Sequence, residues 1–513
     1  MMALAHRPPT WVLSELLAGI APCSASADPY VSHLALDSRA VGSGTLFLAC
    51  QGRAYHGLAF AEEAQDAGAV AVAAEPTADW DQAALQALAL RLRIPLIPIP
   101  GLSRLASALA DRFFGEPSRR LEVIGVTGTN GKTSVAHFIS QLIGAQEPCG
   151  LIGTLGVGLP GELAPANLTT PDPVTLQEQL AKLRAAGSRV VAMEVSSHAL
   201  DQGRAAAVRF REAVFTNLTR DHLDYHGDMV RYGRAKRRLF ETPGLEWAVL
   251  NRDDALSSEL LRALQPSVKR AFFSLAPEPP PLGACELWVC AQGIEPLRHG
   301  FRLSIATSRG CGTVEVGLIG RFNAANLLAV LAVALARGQP FESALHALSE
   351  IRGVPGRMER FGGDGTPLVI VDYAHTPDAL EQALLNIRGH AGRRVLTVFG
   401  CGGERDRGKR PLMGAVAERL SDLVILTDDN PRHEDGGLII AEIKAGMRSP
   451  SAARVERQRA LAIRLAIALA DREDVVLVAG KGHETTQDMG ELKVHFSDRA
   501  QVMQALRERE AAP

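Results

Sequence analysis

No two of the seven cysteines, at positions 23, 50, 149, 285, 290, 311 and 401, stand at CxxC spacing. That argues against a paired-cysteine zinc site and a disulfide framework, and it suits a reducing cytoplasm. An excess of one charge is missing as well. Fifty-five basic against 57 acidic residues leave a formal net charge of −2, which argues against a general nucleic-acid binder. Long apolar runs are also absent. The longest, residues 327–336 (LLAVLAVALA), falls well short of the roughly 20 residues a membrane span requires, so it reads as a buried helix. The opening stretch MMALAHRPPTWVLSELLAG has no sustained apolar core and no clear cleavage site, so no signal peptide is expected. No repeat of solenoid period and no long low-complexity tract is found.

What is present has the balance of an ordinary globular chain, 46 % apolar and 22 % charged over 513 residues. At about 100–200 residues per domain, that length predicts two to four domains. Three segments separate by pattern. Residues 1–118 alternate short apolar runs with Ala-rich helical stretches and end at Gly115, Glu116, Pro117 and Ser118. Residues 119–352 open with a strand signal, LEVIGV, and residues 353–513 begin at GVPGRMERF.

Polar clusters fall after strand-like runs. VIGV leads into TGTNGKTS, VVAMEV into SSH, AVFTNL into TRDHLDYHGD, LVIVDYAH into TPDALE, VLTVF into GCGGERDRGKR, LVIL into TDDNPR, and DVVLVAG into KGHE. In open parallel sheets, ligands bind beyond the carboxyl ends of the strands. Seven such placements predict α/β domains with sites on those edges.

The sharpest motif is residues 128–134: Gly128, Thr129, Asn130, Gly131, Lys132, Thr133 and Ser134, between a strand and the helical run VAHFISQLI. Glycines let the backbone close on an anion, and successive N–H groups and a helix N-terminus then face phosphate oxygens. Lys132 would reach the outer phosphates of ATP, and Thr133 would offer a hydroxyl to Mg²⁺. Val126 stands where the common phosphate loop has its first glycine. The bland alternative is a glycine-rich turn with an incidental lysine.

Glu194 ends a strand run just before Ser196, Ser197 and His198, and His222 lies in RDHLDYHGD. Mg²⁺ prefers oxygen ligands, so Glu194 is the better metal candidate and His222 the weaker. A strand-end acid and a loop histidine bonded to backbone are the plain alternatives. Lys236 sits among Arg231, Arg234, Arg237 and Arg238. Such a run is ordinarily a solvated helix face, and spacing does not single Lys236 out.

Taken together, GTNGKTS, TTPD (169–172), MEVSSHALDQGR (193–204), FTNLTRDHLDYHGDM (215–229), GRFNAANLLA (320–329), GVPGRMER, DYAHTPDALE (372–381), GCGGERDRGKRPLMG (400–414), TDDNPR and GKGHE (480–484) resemble the Mur ligases. The likeness spans roughly residues 37–484 and is closest to the branch that adds meso-diaminopimelate to UDP-N-acetylmuramoyl-L-alanyl-D-glutamate. It implies an α/β protein of three domains: an N-terminal one for the UDP end, a central P-loop-type ATPase with a mostly parallel sheet, and a Rossmann-like C-terminal domain for the amino acid. It also implies ATP-dependent amide formation in peptidoglycan precursor synthesis, hence a part in cell-wall biogenesis, cell shape and division. ATP phosphorylates the γ-carboxylate of D-glutamate, and the incoming amine attacks the acyl phosphate. A cytoplasmic monomer with no nucleic-acid partner and no membrane span is expected.

The resemblance also assigns residues. Ser38, in LDSR, matches a uridine-side contact. Thr169, Thr170, Ser196, Gln202 and Arg204 match positions holding the muramoyl-dipeptide and its diphosphate. Lys236 falls on the family's carbamylated lysine (N6-carboxylysine), whose anionic oxygens would bind a second Mg²⁺. The catalytic set is then Lys132, Glu194, His222 and Lys236. Asn323, Arg357, Asp372 and His375 match nucleotide contacts. Residues 46–57 vary in the family, so uridine contacts from Arg53 to Tyr55 are only an expectation, and residues 276–300 match no motif.

The resemblance makes Asp429, Asn430, Pro431 and Arg432 the diaminopimelate signature, with Arg405, Gly480 and Glu484 as further contacts. A guanidinium pairs with the far carboxylate through two parallel hydrogen bonds. Pro431 would limit where Arg432 swings. Alternatively, Arg432 merely ties its own loop to Asp428 or Glu434. Competing activities are a lysine-adding Mur ligase, a folylpolyglutamate synthetase, and an inactive nucleotide-binding scaffold.

Overall fold

The computed structural model describes residues 9–22, 28–52, 55–166, 168–297, 299–363 and 365–510; Arg53 lies outside the described residues. The fold is α/β, and the chain divides into two compact units, Met1–Ala271 and Phe272–Pro513.

In the first unit, strands His33–Ala35, Thr45–Ala49, Ala69–Ala74 and Leu96–Pro98 form a parallel sheet in that order. Alternate side chains of a strand point to opposite faces. Leu46, Leu48, Ala71 and Ala73 therefore enter one core with helix Leu102–Phe113, while Phe47, Ala49, Val72 and Ala74 enter another with Leu85 and Leu88. Such near-continuous apolar strands are what a sheet covered on both faces requires. Gly115 and Glu116 both take left-handed backbone angles (φ 70° and 50°), which ends the helix Leu102–Phe113.

A second sheet of this unit carries five parallel neighbours: Cys149–Gly153, Val190–Glu194, Glu122–Thr127, Phe210–Phe215 and Trp247–Asn251. Strands Gly156–Leu159 and Glu162–Ala164 extend it antiparallel.

In the second unit, Leu287–Leu297, Gly300–Thr307 and Gly310–Val316 form an antiparallel meander, so most of the motif-free 276–300 stretch is strand and its approach. The apolar run 327–336 lies in helix Arg321–Ala336 and is buried, as expected. Strands Leu368–Asp372, Val475–Ala479, Val395–Phe399, Leu423–Leu426 and Arg454–Val455 run parallel in that order, with Glu359–Gly362 antiparallel on one edge.

All seven strand-like runs are strands of these two parallel arrays. Their polar clusters therefore sit at carboxyl edges, three in the first unit and four in the second. Among the described residues, no helix is long and apolar enough to cross a membrane.

Candidate functional site

In the first unit, the loop after Glu122–Thr127 is shaped by steric exclusion. A Cβ on Gly128 would lie 1.8 Å from the Thr216 hydroxyl, and Gly131 caps helix Lys132–Gly144 at φ 85°. The neighbouring loop braces it. Thr129 N–H donates to the Asn217 carbonyl (2.8 Å), Asn130 N–H to the Asn217 side-chain oxygen (2.9 Å), and the Thr216 hydroxyl to the Asn130 carbonyl (2.5 Å). Lys132 folds over the loop, its Nζ 2.9 Å from the Gly128 carbonyl and 2.8 Å from that of Thr129. Thr133 and Ser134 occupy the first helical turn, both buried.

Glu194 is brought to this helix. Its Oε2 accepts the Thr133 hydroxyl at 2.9 Å and the Thr154 hydroxyl at 3.2 Å, and its Oε1 accepts Thr154 N–H at 2.7 Å. A Cβ at Gly153 would fall 2.2 Å from that Oε1, so the carboxylate fills space only a glycine leaves. Among the described residues, no group of three or more His, Cys, Asp and Glu converges as a metal cage. Mg²⁺ bound with nucleotide needs only one or two protein oxygens beside phosphate and water, and the Glu194 carboxylate with the Thr133 hydroxyl fits that donor set.

Lys236 corrects the plain reading of its arginine-rich helix. It is 1 % exposed, and its Nζ donates to the Gly128 carbonyl at 2.7 Å. Burial, reinforced by the Lys132 charge, holds its pKa well below the ordinary lysine value. The helix Met229–Arg237 buries Tyr232, Gly233, Ala235 and Lys236, while Arg231, Arg234 and Arg237 stay out. Tyr232 and Lys236 share the buried face at i, i+4. His222 stands at left-handed φ 52°, its Nε2 3.4 Å from Asp221, and its ring lies 4.8 Å from that of His198. Burial lowers the His222 pKa.

The residues expected on the substrate side cluster too. Thr170 donates to the Glu194 carbonyl (2.9 Å) and accepts Ser196 N–H (3.0 Å), and Thr169 meets Thr154 hydroxyl to hydroxyl at 3.0 Å. Arg204 donates to the Gln202 side-chain oxygen (2.8 Å) and to the Thr170 carbonyl (3.0 Å), while Gln202 donates to the Tyr225 hydroxyl (3.1 Å). Ser38 opens a short 3-10 turn capped by Asp37.

In the second unit, Asp372 accepts Met358 N–H (2.7 Å) and Ala374 N–H (3.0 Å). Burial raises its pKa, partly offset by Arg357. The Arg357 guanidinium lies 4.5 Å over the Tyr373 ring, which also packs on His375 (4.6 Å) and His483 (5.1 Å). Buried Arg357 Nε has no hydrogen-bond partner among the described residues. Asn323 differs: its amide donates to the Ile319 carbonyl (2.8 Å) and its oxygen accepts from Asn326 (3.0 Å).

The TDDNPR loop meets the loop after Val395–Phe399. Arg432 donates through Nη1 to the Gly403 carbonyl (2.5 Å) and lies 3.8 Å from Asp488, its side chain 21 % exposed. The two partners considered from sequence are taken by others. Asp428 pairs with Arg457 (3.0 Å), and Glu434 with the fully buried Arg410 (2.9 Å). Arg432 itself stands at left-handed φ 51°, a restraint beyond the one expected from Pro431. Asp429 is buried against Gly480, where a Cβ would come within 2.4 Å of its Oδ2, and burial raises its pKa. Asn430 donates to Glu484 Oε2 (2.9 Å), whereas Arg405 is exposed.

Thr154, Arg410 and Lys481 belong to these networks; Arg410 and Lys481 lie within the motifs 400–414 and 480–484 without being named as site residues, and Thr154 lies in none of the quoted motifs. Thr154 meets Glu194 across 40 residues, Arg410 meets Glu434 across 24 and Lys481 meets Asn430 across 51, contacts that local spacing does not give, and the Lys481–Glu484 pair lies on a loop with no periodic register.

Comparison with known proteins gives three family matches: Mur ligase family, catalytic domain, at residues 30–113; Mur ligase middle domain at 126–334; and Mur ligase, glutamate ligase domain, at 356–482. The UDP-N-acetylmuramoyl-L-alanyl-D-glutamate–2,6-diaminopimelate ligase of Alkalilimnicola ehrlichii is 50 % identical over 487 residues, 94 % of this chain and 96 % of that one. A solved structure of a ligase with the same name shares 32 % identity at TM-score 0.69, covering 98 % of this chain and all of the other (100 %). The MurF ligase of Thermotoga maritima in complex with ADP shares the fold, at TM-score 0.62 and 18 % identity, over 94 % of this chain and 98 % of that one.

Proposed function

Because the chain belongs to the Mur ligase family, we propose that it is the ATP-dependent ligase that joins meso-diaminopimelate to the D-glutamate γ-carboxylate of UDP-N-acetylmuramoyl-L-alanyl-D-glutamate. The observation that carries the amino-acid assignment is the near full-length likeness to the Alkalilimnicola ehrlichii enzyme of that name. The reaction places the chain in peptidoglycan precursor synthesis. It would work in the cytoplasm as a monomer, through three domains spanning 1–118, 119–352 and 353–513.

ATP supplies the phosphoryl group that activates the γ-carboxylate, and Mg²⁺ neutralises charge on the transferring phosphate. The chain's own residues position these groups. Backbone N–H groups of 128–134 would cradle phosphate oxygens, with Lys132 turning outward to meet them. Glu194 and Thr133 would hold the first Mg²⁺, assisted by His222. Lys236, a buried amine whose pKa burial lowers, would take up CO₂ with loss of a proton and offer carbamate oxygens to a second. Ser38, Thr169, Thr170, Ser196, Gln202 and Arg204 would orient the UDP-linked substrate. Asn323, Arg357, Asp372 and His375 would contact the nucleotide. Arg405, Asp429, Asn430, Arg432, Gly480 and Glu484 would receive diaminopimelate, the arginines at its distal carboxylate and Glu484 at its distal ammonium.

The test is phosphate release by the purified chain with ATP and Mg²⁺, with UDP-linked dipeptide and amino acid added singly and together. Release that requires both, and prefers diaminopimelate to L-lysine, is expected. Release at the same rate with ATP alone, or with a folate acceptor, would overturn the reading.

A further inference from the structure

Lys481 lies between two of the amino-acid contacts just named. It is fully buried, at 0 % exposure, directly after the strand Val475–Ala479. Its Nζ donates to Asn430 Oδ1 at 2.8 Å and to Glu484 Oε2 at 2.8 Å. Asn430 Oδ1 also accepts Asp488 N–H at 2.9 Å, which leaves the amide nitrogen to donate to the same Glu484 Oε2. Two donors that cannot accept fix the amide's orientation: reversed, it would set N–H groups against an ammonium and a backbone N–H. Both inward donors converge on one Glu484 oxygen. Among the described residues no donor reaches Oε1, and the side chain keeps 29 % of its surface exposed.

We propose that Lys481 is a positioning residue for the amino-acid end of the reaction: it anchors one oxygen of Glu484 so that the other faces the substrate ammonium. This rests on the function proposed above. The arrangement does two things. It holds the acceptor oxygen in place before substrate arrives, which spares the ordering cost of binding. It also keeps the carboxyl ionised inside a partly dry site. Burial pushes the Glu484 pKa up, and the Lys481 charge with the Lys481 and Asn430 hydrogen bonds outweighs this, leaving it below the ordinary value.

The other groups facing Glu484 do not replace Lys481. His483, on the same loop, is pushed by burial to about 4 and is neutral at working pH. Tyr373 and Asp429, on the neighbouring strand ends, act on it as neutral or negative groups, and the Arg459 guanidinium is bound to Asp498 at 2.7 Å. Exposed Arg405 stands in the same field.

The experiment compares wild-type protein with Lys481→Met in the ligase assay across about pH 6–9. The KM for diaminopimelate should rise about 10- to 100-fold, with the KM values for ATP and UDP-linked dipeptide within about two-fold of wild type. The variant's diaminopimelate KM, relative to wild type, should worsen as pH falls, because an unsupported buried Glu484 takes up a proton. A lysine that serves only stability would move all three constants together with no pH trend, and that result overturns the proposal. If Lys481→Met does not fold, Asn430→Asp offers the lysine a rival carboxylate and deletes the amide donor. It should reproduce the same pH-dependent loss, and a flat profile would be equally fatal. Should wild-type protein prefer a different amino acid, the function reading falls, and the same variants measured with that amino acid still judge Lys481.

Discussion

Lys236 Nζ sits 2.7 Å from the carbonyl oxygen of Gly128, so a lysine from an arginine-lined helix ends inside the phosphate loop. A carbamate forms from the neutral amine. The pKa of Lys236 is lowered by burial and by the Lys132 charge, so the neutral form persists to lower pH than in free lysine. Acidification through that lowered pKa would protonate the amine and remove the proposed carbamate. Lys236→Ala should reduce kcat by about 10²–10³-fold while the chain still folds. With ¹³C-labelled bicarbonate, the wild type should give a carbamate signal that the variant lacks. A variant with wild-type kcat would rule out the catalytic role.

Arg432 is held by the Gly403 carbonyl and lies near Asp488, with a fifth of its side chain exposed. L-Lysine lacks the distal carboxylate of diaminopimelate and, in the proposed site, would leave the guanidinium without a substrate partner. Losing such a partner costs roughly 2–5 kcal/mol, or about 30- to several-thousand-fold in discrimination. Arg432→Ala should therefore raise the KM for diaminopimelate strongly and leave that for ATP unchanged. An unchanged diaminopimelate KM would remove Arg432 from the site.

Much of the fold and of the site is legible in the sequence alone. The strand ends are readable because buried parallel strands are continuous apolar runs and their polar clusters interrupt them abruptly, as at residues 426–427 and 479–481. The candidate phosphate loop is readable because glycine, lysine, hydroxyl and helix must follow in fixed order. Lys236 is obscured because its helix carries charge on most of its surface, and a single buried cation has no composition signature. Thr154 and Arg410 stay hidden for another reason. Thr154 contacts Glu194 across 40 residues, and Arg410 contacts Glu434 across 24, pairings fixed only when separate loops meet.

Asp111 supplies a pH signature for stability in the first unit. Burial, aided by the Glu116 charge, raises its pKa to about 6, and its Oδ1 has no hydrogen-bond partner among the described residues. A carboxyl whose folded pKa is raised binds its proton more tightly in the folded state. Its contribution is therefore favourable at low pH and is lost as pH climbs from about 4 through 6. Asp111→Asn should raise Tm at pH 7.5 by about 1–3 °C and leave it unchanged near pH 4. Thermal denaturation at the two pH values checks this, and an equal shift at both would contradict the burial account.

Behind the proposed amino-acid contacts, Arg459 and Asp498 form an ion pair at 2.7 Å with both side chains 0 % exposed. Arg459 also donates to the Ala479 carbonyl (2.9 Å) and stands 4.0 Å from Asp429. Removing one partner strands a buried charge, so Asp498→Ala should cost about 3–5 kcal/mol in denaturant unfolding of a cooperative transition. Replacing the pair with Arg459→Met and Asp498→Leu should recover most of that loss, because two apolar side chains need no desolvation. Function should not recover with it. Burial already raises the Asp429 pKa, and Arg459 is the largest influence lowering it. Without the guanidinium, Asp429 should take up a proton more readily, and the diaminopimelate KM of the stable double variant should rise above wild type. A double variant as stable as wild type with an unchanged KM would show that Asp429 needs no counter-charge, and would confine the pair to a structural role.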